Sequence, residues 1–500
     1  MTRFMRFVHE RHQAPVHNYA SLHRWSVEYP EQFWSALWDF GEVRAAARAT
    51  QILEDGNRLP GARWFVGARL NYAENLLRRD DPEPAIVYRN ERGERRDLSF
   101  YSLRSEVARV AQGMRRCGVK TGDRVCAFLP NTPEAVVAML AAASIGAIWY
   151  AQPHTSTEEA VRDALKQLRP RLLFVGADRL KDGTRDNTAR LMSIVVADAH
   201  VEHVVLVSKT PVVTSARRPH IVSFERFGVP GAALEFSQLP FDAPCLMTRC
   251  ARPTDTPKYV VHRAGGVLLQ QLKELALHND VRRGDRFLCL TTCGDASWYA
   301  LISALAVGAT IVLHDSPPLH DEGRTAWHIA AEERVTLFGV TPAFLQACKE
   351  TELRPSRTFD LAALRTIISV AAPLGPESYR YVYSHAKKDI MLAVQSTQPD
   401  IMATFAAASP IAPVLEGEIQ CVALGMKVEI NNEDERPVFD RCGEIVCTEP
   451  FPSMPIGFWG DANDPQFRSL YFGGHSRRWH QGQLATLTLR GSMILHEQAR

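Results

Sequence analysis

From about residue 85 onward, short apolar runs alternate with longer stretches in which apolar residues return every three or four positions. "RVCAFLPN" (124–131) reads as a strand. Asn131 or Thr132 then caps a helix with Pro133 in its first turn, where proline's fixed φ and missing N–H cost nothing. "GAIWYA" (146–151), "RLLFVGAD" (171–178), "HVVLVS" (203–208), "RFLCLTTC" (286–293), "TIVLHD" (310–315), "VTLFGVTP" (335–342) and "IMLAVQS" (390–396) are further apolar runs bounded by turn residues. Helical patterns such as "GGVLLQQLKELALHND" (265–280) and "HIAAEERV" (328–335) lie between some of them. This alternation predicts an α/β fold of doubly wound lobes, with parallel sheets covered on both faces.

The period changes near residue 415. "GEIQCVALGMKVEINNEDERPVFDRCGEIVCTEP" alternates apolar and polar residues around a polar turn at Asn431–Arg436, and "QLATLTLRGSMILHEQAR" reads as one more hairpin. Both belong to a small β-rich subdomain. At the other end, Trp34 and Trp38 lie four apart beside Trp25, Phe33 and Phe40, an aromatic helix face that packs on the larger body. The expected division is an N-terminal cap over 1–80, α/β core lobes over 81–414, and the β-rich subdomain over 415–500.

Composition narrows the function classes. With 58 basic and 56 acidic residues the chain lacks the basic excess of a dedicated nucleic-acid binder. The apolar stretch Ala135–Ala151 is short of a membrane span and contains Ser144 and Gly146, so it reads as a buried helix running into a buried strand. No secretory h-region opens the chain, and the expected location is the cytoplasm, without nucleic-acid or membrane partners. Ten cysteines form no CxxC pair and read as reduced, buried side chains; His200 and His203 form an isolated pair rather than a metal motif.

The runs "LHRWSVEYPEQFWSALWDF", "ARLNYAENLL", "LTTCG", "LRTIIS" and "PFPSMPIGFW", in this order, resemble the adenylate-forming acyl-CoA synthetases, and within them the acetoacetyl-CoA synthetase branch. The resemblance implies two doubly wound lobes, a barrel-like β subdomain and a mobile C-terminal domain. It also implies ATP, Mg²⁺ and coenzyme A as reactants and cofactors. A carboxylate would attack the α-phosphorus of ATP with release of pyrophosphate, and the thiol would then displace AMP.

The chain departs from the family at the positions that carry this chemistry. The family's Ser-Ser-Gly-Thr-Thr-Gly-x-Pro-Lys phosphate loop falls on Cys250–Lys258, where Thr254, Pro257 and Lys258 match. Its glycines are replaced by Arg252 and Asp255, and Pro253 removes an N–H from a loop that works by aiming N–H groups at phosphate oxygens. Asp255 against a triphosphate would cost on the order of 4 kcal/mol. Arg249 and Arg252 are suited to offset it. Thr397, Gln398 and Pro399 stand where the family has Gly-Gly-Thr, ahead of Asp400, which in the family helps hold Mg²⁺. Gln483 replaces the ribose-binding aspartate. Ala371, Ala372 and Pro373 keep the shape of the adenine loop. The chain ends where the family's hinge begins, so its C-terminal domain is expected to be absent.

The candidates that follow are of three kinds. For catalysis they are Lys258, Cys250, Arg249, Arg252, Asp255 and His262, with the Cys250 thiol lowered by the neighbouring arginines. For substrate they are Cys293, Asp295, Ser297, Trp298 and Gln395. The nucleotide-site remnants are Thr254, Ala371, Ala372, Pro373, Asp400 and Gln483, with Asp400 the one metal candidate. The leading reading is a dismantled ATP site beside a retained pocket for a small carboxylate, β-keto acid or acyl thioester, turned to ATP-independent chemistry. The alternatives are a non-catalytic scaffold, as a homo-oligomer or with a partner protein, and the acetoacetate–CoA ligase reaction with the missing domain supplied in trans.

Overall fold

The computed structural model describes residues 1–90, 93–176, 187–198, 200–207, 219–315, 319–370, 372–461, 465–473 and 477–496. Ala371, the ends of the 171–178 and 203–208 runs, and the last residues from 497 onward lie outside the described residues.

Two large sheets form the body, and both carry antiparallel strands at one edge only. The first orders its strands 220–223, 203–207, 172–176, 124–129, 148–153, 244–249, 259–263 and 457–458. Its first six run parallel, and Tyr259–Arg263 returns antiparallel beside Pro244–Arg249. The second sheet orders 391–394, 366–369, 337–340, 286–289, 310–314, 84–89 and 95–99, parallel except for the last pair. Central strands such as Leu172–Gly176 and Thr310–His314 are buried throughout. Burial on both faces explains why they read as continuous apolar runs.

The apolar stretch at 135–151 is the buried helix Pro133–Ile145 running into the strand Ile148–Pro153. Among the described residues, no helix is long and apolar enough to cross a membrane. Asn71 holds the neighbouring segment to this helix. Its Nδ2 donates to the carbonyls of Ala143, Ser144 and Ser237 while its Oδ1 caps the helix Tyr72–Leu76.

The N-terminal segment forms helices Thr2–His12, Tyr19–Glu28 and Pro30–Phe40, the second started by a reciprocal cap between Asn18 and Ser21. Trp34 and Trp38 are buried, as the spacing predicts. Trp38 stacks on Phe65 at 4.8 Å between ring centroids, and Phe65 on Phe241 at 4.9 Å. Phe241 in turn lies so close to Gly265 that a Cβ there would sit 2.2 Å from its ring. A neighbouring Cβ at Gly266 would meet the carbonyl of Pro452 at the same distance. The two glycines therefore seat the helix Ala264–Lys273 against the cap on one side and the β-rich region on the other.

The C-terminal region contains a four-stranded antiparallel sheet (428–431, 442–447, 479–487, 493–495), the small β-rich subdomain that the sequence predicts. The helix Pro465–Phe472, between two of its strands in sequence, is an element the sequence reading of this β-rich region does not include. Its buried Phe467, Tyr471 and Phe472 follow helical spacing within a segment too short for the pattern to stand out.

Candidate functional site

In a doubly wound sheet the loops leaving the carboxyl ends of the strands splay apart, and ligands bind in the crevice between them. Here the ends of strands from both sheets meet around one open cleft of about 940 Å³. Tyr150 and Gln152 reach it from one strand, and Thr248 and Arg249 from the next. The second sheet contributes Cys293 to Ser297, then Val370 and Pro373, then Thr397 to Pro399. Gln483 closes the circle from the β-rich region. Positions for which the resemblance implies phosphate, acyl, adenine and ribose recognition thus surround one space.

The loop 250–258 is the turn of a hairpin. Arg249 pairs with Tyr259, and the Cys250 N–H donates to the Lys258 carbonyl across 2.8 Å. Between them, Thr254 donates to the carbonyl of Thr256, while the Ala251 N–H and the Arg252 guanidinium bond to groups outside the loop. Arg252 points back into the protein. Its Nη1 donates to the carbonyls of Leu470 and His480, and its guanidinium lies 5.5 Å from the centre of the Tyr471 ring. Arg249 is exposed on the cleft wall and makes no ion pair among the described residues. It is the cation best placed to meet an incoming anion.

Asp255 does not oppose a triphosphate in this arrangement. It is exposed, and neither it, Thr254 nor Lys258 lines the cleft. The loop tip bends away, and the repulsion expected from the sequence does not arise in this conformation. His262 is also excluded from contact with substrate. It is fully buried, its Nε2 faces Thr248 Oγ1 at 2.8 Å, and burial depresses its ring to about 3. Cys250 departs from expectation in the opposite direction. Burial first, and then the Asp400 carboxylate, push its thiol up to about 11, and neither the Tyr471 hydroxyl at 3.3 Å nor Arg252 outweighs them. It is no ready nucleophile.

Asp400 is fully buried. One carboxylate oxygen accepts the Ala251 N–H at 2.8 Å and the other the Tyr471 hydroxyl at 2.6 Å. Burial still holds its carboxyl above the ordinary value. A Mg²⁺ ligand needs an ionised oxygen presented to the cation. Asp400 has its oxygens engaged and does not line the cleft, so it does not fit the metal role.

Gln483 does line the cleft, but with its oxygen spent. Gln398 Nε2 and Ser396 Oγ both donate to its Oε1, at 3.0 and 3.2 Å. Its remaining amide hydrogens can only donate, whereas an aspartate at this place would accept. Pro373 keeps its place at the cleft, and Ala372 is exposed beside it.

On the acyl side, Cys293, Asp295 and Ser297 line the cleft, with Asp295 accepting from Thr292 Oγ1 at 2.7 Å and Ser297 paired with Thr291 Oγ1. Trp298 is not a substrate contact. It faces the core, fully buried, with its indole N–H donated to Asn131 at 3.0 Å. Beside the cleft, with Ser297 and Val370 on the walls of both, lies a narrow chamber of about 40 Å³, and Gln395 lines it with its amide donated to Asn279 at 2.6 Å.

Three contributors escape the sequence reading. Tyr471 is hidden in the short helix that the β-like period obscures. Gln271 and Glu274 stand on the wall of the chamber. Their signal is present: "LLQQLKEL" places four polar side chains together on one side of a helix, and all four are buried. Residues Glu274–His278 continue that helix as a π turn, a distortion frequent at functional sites.

Comparison with known proteins follows the same lines. A family described as "AMP-binding enzyme" matches residues 74–451, and "Acetyl-coenzyme A synthetase N-terminus" matches residues 19–76. The acetoacetyl-coenzyme A synthetase of Rhizobium meliloti (strain 1021) is 36% identical over 99% of this chain and 77% of its own length. The acetoacetyl-CoA synthetase of Gallus gallus is 37% identical over 93% and 72%. The solved acetoacetyl-CoA synthetase from Streptomyces lividans superposes with a TM-score of 0.93 at 34% identity, covering 99% of this chain and 77% of that one.

Proposed function

The chain belongs to the AMP-binding enzymes, in the acetoacetyl-CoA synthetase family, and from that premise we propose that it is an acid–thiol ligase acting on a short carboxylate. The similar proteins are named as synthetases, and this favours the ligase alternative over the ATP-independent chemistry that leads the sequence reading. The observation that carries the proposal is the convergence around one cleft of Arg249, the 293–297 turn, Pro373 and Gln483.

Arg249 supplies a guanidinium for the substrate carboxylate or a nucleotide phosphate, and Gln483 supplies amide donors. The carboxylate oxygen would bond to the α-phosphorus as the bond to pyrophosphate breaks. The thiol sulfur would then bond to the acyl carbon as AMP leaves. Neither step is routed here through a metal, because Asp400 is not arranged to hold one.

One observation favours a second reading. With Asp400 sealed by Ala251 and Tyr471, and Arg252 tied to backbone carbonyls, the cleft also suits an acyl group bound without ATP. A single series separates the two: ATP·Mg²⁺ binding to the purified chain, then acetoacetate-dependent exchange of labelled pyrophosphate into ATP. Saturable exchange supports the ligase. Acid binding without ATP binding overturns it in favour of the second reading.

A further inference from the structure

A second cavity, of about 710 Å³, lies at the opposite end of the second sheet from the cleft and shares no lining residue with it. It is built on the turns that lead into three adjacent parallel strands. Arg78 and Arg79 precede Pro84–Arg89, Arg282 and Arg283 precede Arg286–Cys289, and Gly308 precedes Thr310–His314. The N-terminal helices add Arg3, Leu37 and Phe40.

Five arginines line this cavity against two acids, Glu42 and Asp280. The nearby carboxylates are already shared. Asp280 is paired with Arg282 and lies 3.6 Å from Arg365 as well. Asp81 takes two 2.8 Å bonds from Arg79, which leaves Arg283 3.8 Å away from it. Gly308, at φ 87°, lets the stems of those two arginines close over one point, since a Cβ there would meet Arg79 at 3.4 Å and Arg283 at 3.3 Å. Arg78 gives Nε and Nη1 to the carbonyls of Asn75 and Gly41 and makes no ion pair among the described residues. Arg3 is exposed and makes none either, and the Arg283 side chain is 73% exposed. A concave wall with such an excess of one sign concentrates anions, and guanidinium forks match phosphate oxygens.

The rest of the wall is apolar: Leu37, Phe40, Leu272, Val281, Val307 and Ile411. The volume falls in the range of small-molecule sites, about 300–1,000 Å³. We infer that this cavity binds an organic phosphate of nucleotide size, with its phosphate groups on Arg3 and Arg283 and its body on the apolar wall. Inorganic phosphates share the first half of that chemistry and lack the second. The site lies outside the catalytic cleft and stands independently of the ligase reading.

Calorimetric titration of the intact chain with GDP, pyrophosphate and guanosine tests it. GDP should bind about tenfold more tightly than either of the others, which carry only half of the recognised chemistry. The double variant Arg3→Gln, Arg283→Gln changes two exposed side chains and should weaken GDP by about 10–100-fold. Arg249→Ala, in the cleft, should leave GDP binding unchanged. Absence of GDP binding, or binding that survives the double variant, overturns the inference. GDP binding lost in Arg249→Ala instead places the nucleotide in the cleft, which overturns the inference and supports the proposed function. Pyrophosphate or guanosine binding as tightly as GDP overturns it in favour of a site for bare anions or for bare apolar bodies.

Discussion

Tyr471 donates its phenolic proton to Asp400 across 2.6 Å, joining a helix of the β-rich region to the acid that follows the strand Met391–Val394. Tyr471 stacks on Trp479 at 4.1 Å, so the hydroxyl is delivered by a ring that cannot swing away.

Removing that hydroxyl tests how the acid is kept. Tyr471→Phe leaves Asp400 buried with one donor fewer, and the expected loss is about 1–3 kcal/mol of stability, read from urea unfolding. Because burial raises the Asp400 carboxyl, the folded chain holds a proton that the unfolded chain has released. Its contribution is therefore favourable at low pH and is lost as pH rises from the ordinary carboxylate range, near 3.8, through the raised value. Asp400→Asn should flatten that part of the stability profile. An unchanged slope would show that Asp400 titrates normally.

Lys273 gives the opposite sign at the alkaline end. It is fully buried 3.7 Å from Glu274 with no hydrogen-bond partner for its Nζ among the described residues, and burial lowers it from 10.5 to about 8. Between those two values the unfolded chain binds the extra proton, so this group adds stability as pH rises from about 8 to 10.5. Lys273→Met should remove the rise. Thermal melts of both proteins across that window check it.

Cysteine labelling should separate exposure from sequence context. Cys442 is exposed, whereas Cys250 is half-buried with its thiol pushed up to about 11. Iodoacetamide at neutral pH should modify Cys442 first and Cys250 slowly, as peptide mass mapping would show. Fast modification of Cys250 would restore the activated-thiol reading.

Arg249 and Asp255 should respond very differently to removal. Arg249→Ala takes away an exposed cleft guanidinium, and the acid or nucleotide should bind about 10–100-fold more weakly. Asp255→Gly alters a residue outside the cleft and should leave affinity within about twofold. Calorimetric titration of both variants settles the ranking, and equal losses would return Asp255 to the phosphate path.

The sequence carried most of the scaffold because buried parallel strands and amphipathic helices leave strong local periods. The runs at 124–129, 148–153 and 310–314 were legible for that reason. The site was legible as a set of positions but not as a set of contacts. Lys258 and Cys250 are eight apart in sequence and hydrogen-bonded as neighbours, yet neither lines the cleft, which Arg249, Ala251, Arg252 and Pro253 do. The state of Asp400 depends on Tyr471, 71 positions away, and no local pattern records such a pairing. The fate of His262 depended on which face of its strand was covered, a choice made by the sheet rather than by the residue.

Because Cys250 and Lys258 are bonded to each other, the two strands are closed at the base of the loop, and Ala251 and Arg252 are the residues that tie the loop itself to Asp400, Leu470 and His480. The segment can therefore be exchanged for the family's glycine-rich version without re-registering either strand. Such a graft would measure how far nucleotide binding depends on these seven residues and how far on surroundings such as Tyr471 and Gln483.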